Sequence, residues 1–185
     1  MERRIHITGA SGSGVSTLAR ELATRLSTQA FDTDDFYWLP TDPPFQEKRP
    51  ILDRLRLMDA VFMPRRDWIV AGSLHSWGAP VMDRVTHVIF LTLDSAQRVA
   101  RLRARERQRL GDRIRPGGDL AHEFRGFLDW AASYDDPDGP GRSRVSHEAW
   151  LATLHQPVIR LTSDRAPAML ADAAIAALDA ADRGD

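Results

Sequence analysis

Cysteine is missing from this sequence and lysine occurs once. Without cysteine there is no disulfide framework, no thiolate metal site and no Cys nucleophile. Long apolar runs are missing too. Runs such as "WIVA" (68–71) and "VIFL" (88–91) are strand-sized and far short of the ~20 residues a bilayer span needs. The start, "MERRIHI", is charged and enters a strand directly, so no signal peptide is expected there and a cytoplasmic protein is the default. Neither charge sign dominates: the formal net charge is −1, so nothing global attracts nucleic acid or an anionic membrane. No His/Asp/Glu set has zinc spacing, and no repeat or low-complexity tract is present. The lysine shortage bears on mechanism. Lys48 is the exception among 25 basic residues, so a cation serving a phosphate is expected to be a guanidinium, a planar donor fork suited to bidentate contacts. Codon bias toward arginine would give the same composition.

What remains is a globular pattern. At 185 residues one domain is expected, or one core carrying inserted lobes. Strands are read at 3–8, 30–35, 67–73, 86–93 and 157–161. Between them, Leu18, Leu22 and Leu26 lie at helical spacing, and further helices are read at 51–62, 95–110, 120–134, 146–154 and 166–181. Ser95 is read as the cap of the helix at 95–110. Strands alternating with helices, with no hairpin signal, imply crossovers and a parallel sheet. The expected fold class is α/β: a five-stranded parallel sheet flanked by helices, with insertions at 36–66 (a substrate lobe) and 111–144 (a lid).

The stretch "HITGASGSGVST" (6–17) carries the chemistry. A phosphate-holding loop reads G-x-x-x-x-G-K-[ST], and Gly9, Gly14 and Ser16 fall on that pattern, but Val15 occupies the lysine position. In a strand–turn–helix context, backbone N–H groups of Gly9, Ser11, Gly12, Ser13, Gly14, Val15, Ser16 and Thr17 converge on one anion site. Ser16 stands where a hydroxyl would ligate Mg²⁺, and Thr17 could reach the first phosphate. The alternative is a turn that is merely rich in glycine.

With "DTDDFYW", "WIVAGS", the arginine helix running into "GDRIRPGGD", and "FLDWAASYDD", this loop resembles the small P-loop kinases: adenylate kinase-like, shikimate kinase-like and bacterial topology modulation proteins. The resemblance implies a P-loop NTPase fold, ATP (or GTP) and Mg²⁺ as cofactors, and a small-molecule acceptor. It also implies roles. Asp32 would hold metal or its water with Ser16, and Asp34 would orient or deprotonate the acceptor. Arg109 would stack on the base and Arg113 would supply the missing cation. Arg165 and Pro167, in "TSDRAP", would pack on the adenine. Two departures from the family pattern stand out, Val15 for lysine and Ala71 where many relatives carry a strand-end aspartate.

The residues themselves leave alternatives open. Asp32 and Asp34 are read on one face of a strand, with Asp35 pointing away; a solvated turn with an aspartate capping a helix fits as well. Asp35, Tyr37, Trp38 and Lys48 are read on the acceptor side, although the aromatics could simply pack the flap. Lys48 could instead reach across the cleft as a cation. His75 lies where ligands bind at strand ends. The expected function is an ATP-dependent phosphotransferase acting on a hydroxyl or phosphate acceptor. The alternative is a nucleotide-binding regulator, and nucleic-acid binding through the arginine helix is disfavoured.

Overall fold

The computed structural model describes residues 2–139 and 141–184. Its sheet has five strands, β1 (Arg4–Gly9), β2 (Ala30–Asp32), β3 (Trp68–Ala71), β4 (His87–Thr92) and β5 (Val158–Thr162). Every pairing is parallel and the spatial order is β2-β3-β1-β4-β5. Because the central strands are covered on both faces, they read as nearly unbroken apolar runs. Alternation then assigns the faces. Ile5, Ile7, Ile69, Ala71, Ile89 and Leu91 turn to one core cluster, and Trp68, Val70, Val88 and Phe90 to another.

The first cluster is closed by α1 (Val15–Arg25) and, from the far end of the chain, by α8 (Pro167–Arg183). Leu18 and Leu22 of α1 meet Leu170, Ala171, Ala174 and Leu178 of α8, positions that recur at helical spacing. The second cluster lies under α2 (Thr33–Tyr37), α3 (Ile51–Val61), α4 (Ala79–Met82) and α7 (Arg144–Leu151). A third, smaller cluster joins α5 (Ser95–Leu110) to α6 (Ala121–Ala132) through Leu102, Leu128 and Ala131.

The parallel five-stranded sheet expected from the sequence is present, with three local differences. The second strand stops at Asp32 rather than Asp35. Asp32 becomes the N-cap of α2, its side chain accepting from the Asp34 N–H at 3.1 Å, and Thr33 onward is helical. The cap of α5 is Asp94, which accepts from the Gln97 N–H, and Ser95 is the first helical residue. The short helix α4 carries too little periodicity to be read from sequence. Among the described residues no helix is long and apolar enough to cross a membrane.

Candidate functional site

The glycine loop runs from the end of β1 into α1, at the carboxyl edge of the sheet. Gly14 is the N-cap of α1, in the left-handed region at φ 93, and no side chain caps the helix. The first helical bond runs from the Leu18 N–H to the Gly14 carbonyl, so the N–H groups of Gly14 to Thr17 have no partner within the helix. An uncapped helix start with free donors and a positive dipole end is a cradle for an anion. Gly12 is needed for a different reason. At φ +84, a Cβ there would come within 2.6 Å of the Arg98 carbonyl oxygen, because α5 packs directly on the back of the loop.

Arg98 shows how the loop is held. It is 1% exposed. Its guanidinium donates to the carbonyls of Ser11 (3.4 Å), Ala131 (3.0 Å) and Leu93 (3.2 Å) and to the Asp135 carboxylate at 2.6 Å. Such complete pairing is what lets a charge stay buried. On the other flank, the Ser163 hydroxyl donates to the Ser13 carbonyl at 2.6 Å, and Ser163 in turn accepts from Arg101. The Arg101 Nη1 lies 3.7 Å from where a Gly14 Cβ would stand. The Ser13 hydroxyl is itself buried without a partner.

Val15 does not reach into this cradle. It packs against the apolar cluster beneath α1. One residue on, the Ser16 hydroxyl donates to Asp32 Oδ2 at 2.6 Å, bringing an alcohol and a carboxylate together at the helix start. Two hard oxygen donors with room for phosphate oxygens and water fit Mg²⁺, which takes only one or two carboxylates from a protein in such sites. No cluster of three or more His, Cys, Asp or Glu with metal-binding geometry occurs among the described residues.

Asp34 lies on the first turn of α2, not one pleat along a strand from Asp32, so the shared strand face expected from sequence is corrected. The strand had to end because the Asp32 side chain turns the chain into a helix. Asp34 is open to solvent, yet protein surrounds it on most sides. Desolvation, and then the charge of Asp32, push its carboxyl above the ordinary range, opposed by a hydrogen bond from Trp38 and the charges of Arg142 and Arg105. Asp35 is raised for the same two reasons, desolvation first.

The lobe aromatics pack edge to face. The Tyr37 ring lies 3.8 Å from the Arg54 guanidinium carbon and 4.8 Å from the Trp38 ring, and Trp38 forms a backbone bridge with Lys48. Lys48 Nζ stands 6.0 Å from the Tyr37 ring. The lid arginines are engaged elsewhere than expected. Arg113 is forked onto Asp119 at 2.8 Å and reaches Asp42 of the lobe at 3.4 Å. Arg109 lies over the Phe45 ring, also of the lobe, at 5.4 Å, and pairs with Glu106. Both therefore join lid to lobe, and neither touches the glycine loop. Arg165 is exposed beside Asp164, and Pro167 opens α8.

Three residues escaped the sequence reading: Arg98, Ser163 and Arg142. Arg142 lies between α6 and α7, its Nε buried without a partner and its guanidinium carbon 5.9 Å from the Trp130 ring. The helical spacing of Arg98 and Arg101 was a usable signal for a face turned to the loop. Nothing periodic marks Arg142. Below the site, His147 joins Thr8 (3.3 Å) to the Tyr134 hydroxyl (2.7 Å), with the exposed His75 ring 6.3 Å away.

Comparison with known proteins agrees with the fold. The solved shikimate kinase from Bacteroides thetaiotaomicron superposes with a TM-score of 0.56 at 15% identity, covering 96% of this chain and 97% of that one. A gluconokinase from Sinorhizobium meliloti 1021 gives 0.53 at 15% identity, covering 96% and 92%. At these identities the likeness is one of fold. In sequence, "Uncharacterized protein YqaC" of Bacillus subtilis (strain 168) is 38% identical over 164 residues, 89% of this chain and 90% of that protein. Residues 5–115, more than half of the chain, match the family model described as "AAA domain". The chain thus belongs to the AAA domain family and carries the fold of the small P-loop kinases.

Proposed function

We propose that this protein is an ATP-dependent phosphotransferase that moves the γ-phosphate to a hydroxyl or phosphate oxygen of a small molecule. The observation that carries the proposal is the 2.6 Å contact between Ser16 and Asp32 at the start of α1, with Asp34 two residues along. A protein that only gripped nucleotide would need the backbone cradle but not paired carboxylates at its mouth. In the reaction on a hydroxyl, the acceptor oxygen bonds to the γ-phosphorus. The bond from that phosphorus to the β–γ bridging oxygen breaks, and ADP leaves with the electron pair. The acceptor proton passes to the Asp34 carboxylate, whose raised pKa makes it the stronger base. Ser16 and Asp32 would hold Mg²⁺, which screens the phosphate charges when bound. Apart from proton transfer, the protein's work is positioning and charge stabilisation.

The regulator reading draws on one observation, Val15 in the lysine position. The test is ADP release from Mg²⁺·ATP in the presence of sugar acids, polyols, nucleosides and nucleoside monophosphates. The proposal expects one class to raise release well above the basal rate. ATP bound tightly but never consumed with any of these classes would favour the regulator.

A further inference from the structure

A loop without its lysine still has to balance the charge of a triphosphate, and the cations nearest it are nearly all occupied. Arg98 is buried under the loop with four acceptors. Arg101 is bound to Ser163, and Arg105 to Glu106 at 2.7 Å. Arg109 and Arg113 are spent on the lid–lobe contact, and Lys48 sits on the lobe beside Tyr37.

Arg142 differs from all of these. Among the described residues no carboxylate, carbonyl or hydroxyl accepts from it, and its Nε is shut away from solvent with nothing to donate to. Its guanidinium carbon lies 5.9 Å from the Trp130 ring. Desolvation lowers its pKa, which is what a guanidinium short of counter-charge shows.

The neighbours fix where it is. The charges that act on Arg142 are those of Tyr134, Asp34 and Arg98. Arg98 touches the loop at Ser11, and Asp34 follows the Ser16–Asp32 contact. Arg142 also acts on His147, which is bonded to Thr8, the residue before Gly9. Arg142 thus lies within electrostatic reach of Asp34, which follows the Ser16–Asp32 contact, and of His147, which is bonded to the residue before the glycine loop. A phosphate group in transit would pass between the glycine loop and Asp34.

We infer that Arg142 supplies the cation that Val15 cannot, binding oxygens of the transferred phosphate from the acceptor side of the cleft. This rests on the phosphotransferase reading. It assigns the charge to a different place from a loop lysine, which rises from the first turn of α1. Arg142 approaches from the segment before α7 and faces the terminal phosphate rather than the inner two. A planar fork suits two phosphate oxygens at once. As the γ-phosphorus passes from the β–γ oxygen to the acceptor oxygen, the guanidinium keeps its proton and stabilises the charge on the equatorial oxygens.

Calorimetric titration with Mg²⁺·ATP and Mg²⁺·ADP tests this. The parent should bind ATP more tightly than ADP. In Arg142→Gln, ATP affinity should fall at least 10-fold while ADP affinity stays within 3-fold. Val15→Lys in the otherwise unaltered chain should gain less than 3-fold in ATP affinity, because the charge is already provided. Added to Arg142→Gln, it should restore most of the loss. If Arg142→Gln binds ATP as the parent does, or Val15→Lys alone gains 10-fold or more, the inference is overturned while the phosphotransferase reading stands. A parent that binds neither nucleotide overturns both. Should Arg142→Gln fail to fold, the Val15→Lys measurement decides by itself.

Discussion

Asp32 makes two hydrogen bonds that serve different ends. Oδ1 accepts from the Asp34 N–H and starts a helix, and Oδ2 accepts from the Ser16 hydroxyl and meets the glycine loop. One carboxylate therefore fixes where α2 begins and where Asp34 stands relative to α1. Separate outcomes follow for the two acids. Asp34→Asn keeps the shape but removes charge and basicity, so turnover should fall at least ~10²-fold with nucleotide affinity nearly unchanged. Asp32→Asn should instead raise the Mg²⁺ concentration needed for half-maximal activity. Full activity in Asp34→Asn, measured as ADP release, would remove the base from the account. Both acids were legible in "DTDD", since carboxylates after a strand are unusual without a task. Their geometry was not. Period-two reasoning assumed a strand through Asp35, and an aspartate able to cap its own successor ended it three residues earlier. Arg142 was illegible because it lies in a proline- and glycine-rich link, where no periodicity says which way a side chain faces.

Among the elements, β1 and α7 place two histidines under the site. His6 Nε2 donates to the Gly72 carbonyl at 3.1 Å, leaving Nδ1 buried without a partner. Burial pushes its pKa down to about 4, and that of His147 to about 3. Both rings are neutral in the folded chain, whereas in the unfolded chain they take up protons below about pH 6.5. Their contribution to stability is thus fully present above pH 6.5 and is lost as pH falls toward 4. Between pH 6.5 and 5 each histidine removes about 2 kcal/mol. Thermal melts should therefore drop by several degrees between pH 7.5 and 5. An unchanged melting temperature over that interval would mean that these rings gain a compensating partner on protonation. The sequence placed His6 and His87 in strands, and both are. It did not mark His147, whose partners Thr8 and Tyr134 are distant along the chain. On α5, Arg98 is buried, whereas Arg101, Arg103, Arg105, Arg107 and Arg109 are exposed.

For the molecule as a whole, the order β2-β3-β1-β4-β5 sets the glycine loop between the lobe that follows β2 and the lid that follows α5. These two insertions already touch, through Arg113 with Asp42 and Arg109 with Phe45. Exposed pairs of this kind are weak, so they can separate readily for a ligand to enter. The sheet was legible throughout because buried parallel strands leave apolar runs that nothing else in the chain imitates. The contacts across the cleft were not, since they join exposed residues far apart in sequence. The central claim is that the cradle from Gly9 to Thr17 holds nucleotide phosphates although Val15 stands where a lysine is usual. Titrating the protein with Mg²⁺·ATP in a calorimeter tests it most directly. The account predicts saturable heat with a dissociation constant between micromolar and millimolar. No heat up to several millimolar nucleotide, together with no thermal shift, would contradict it.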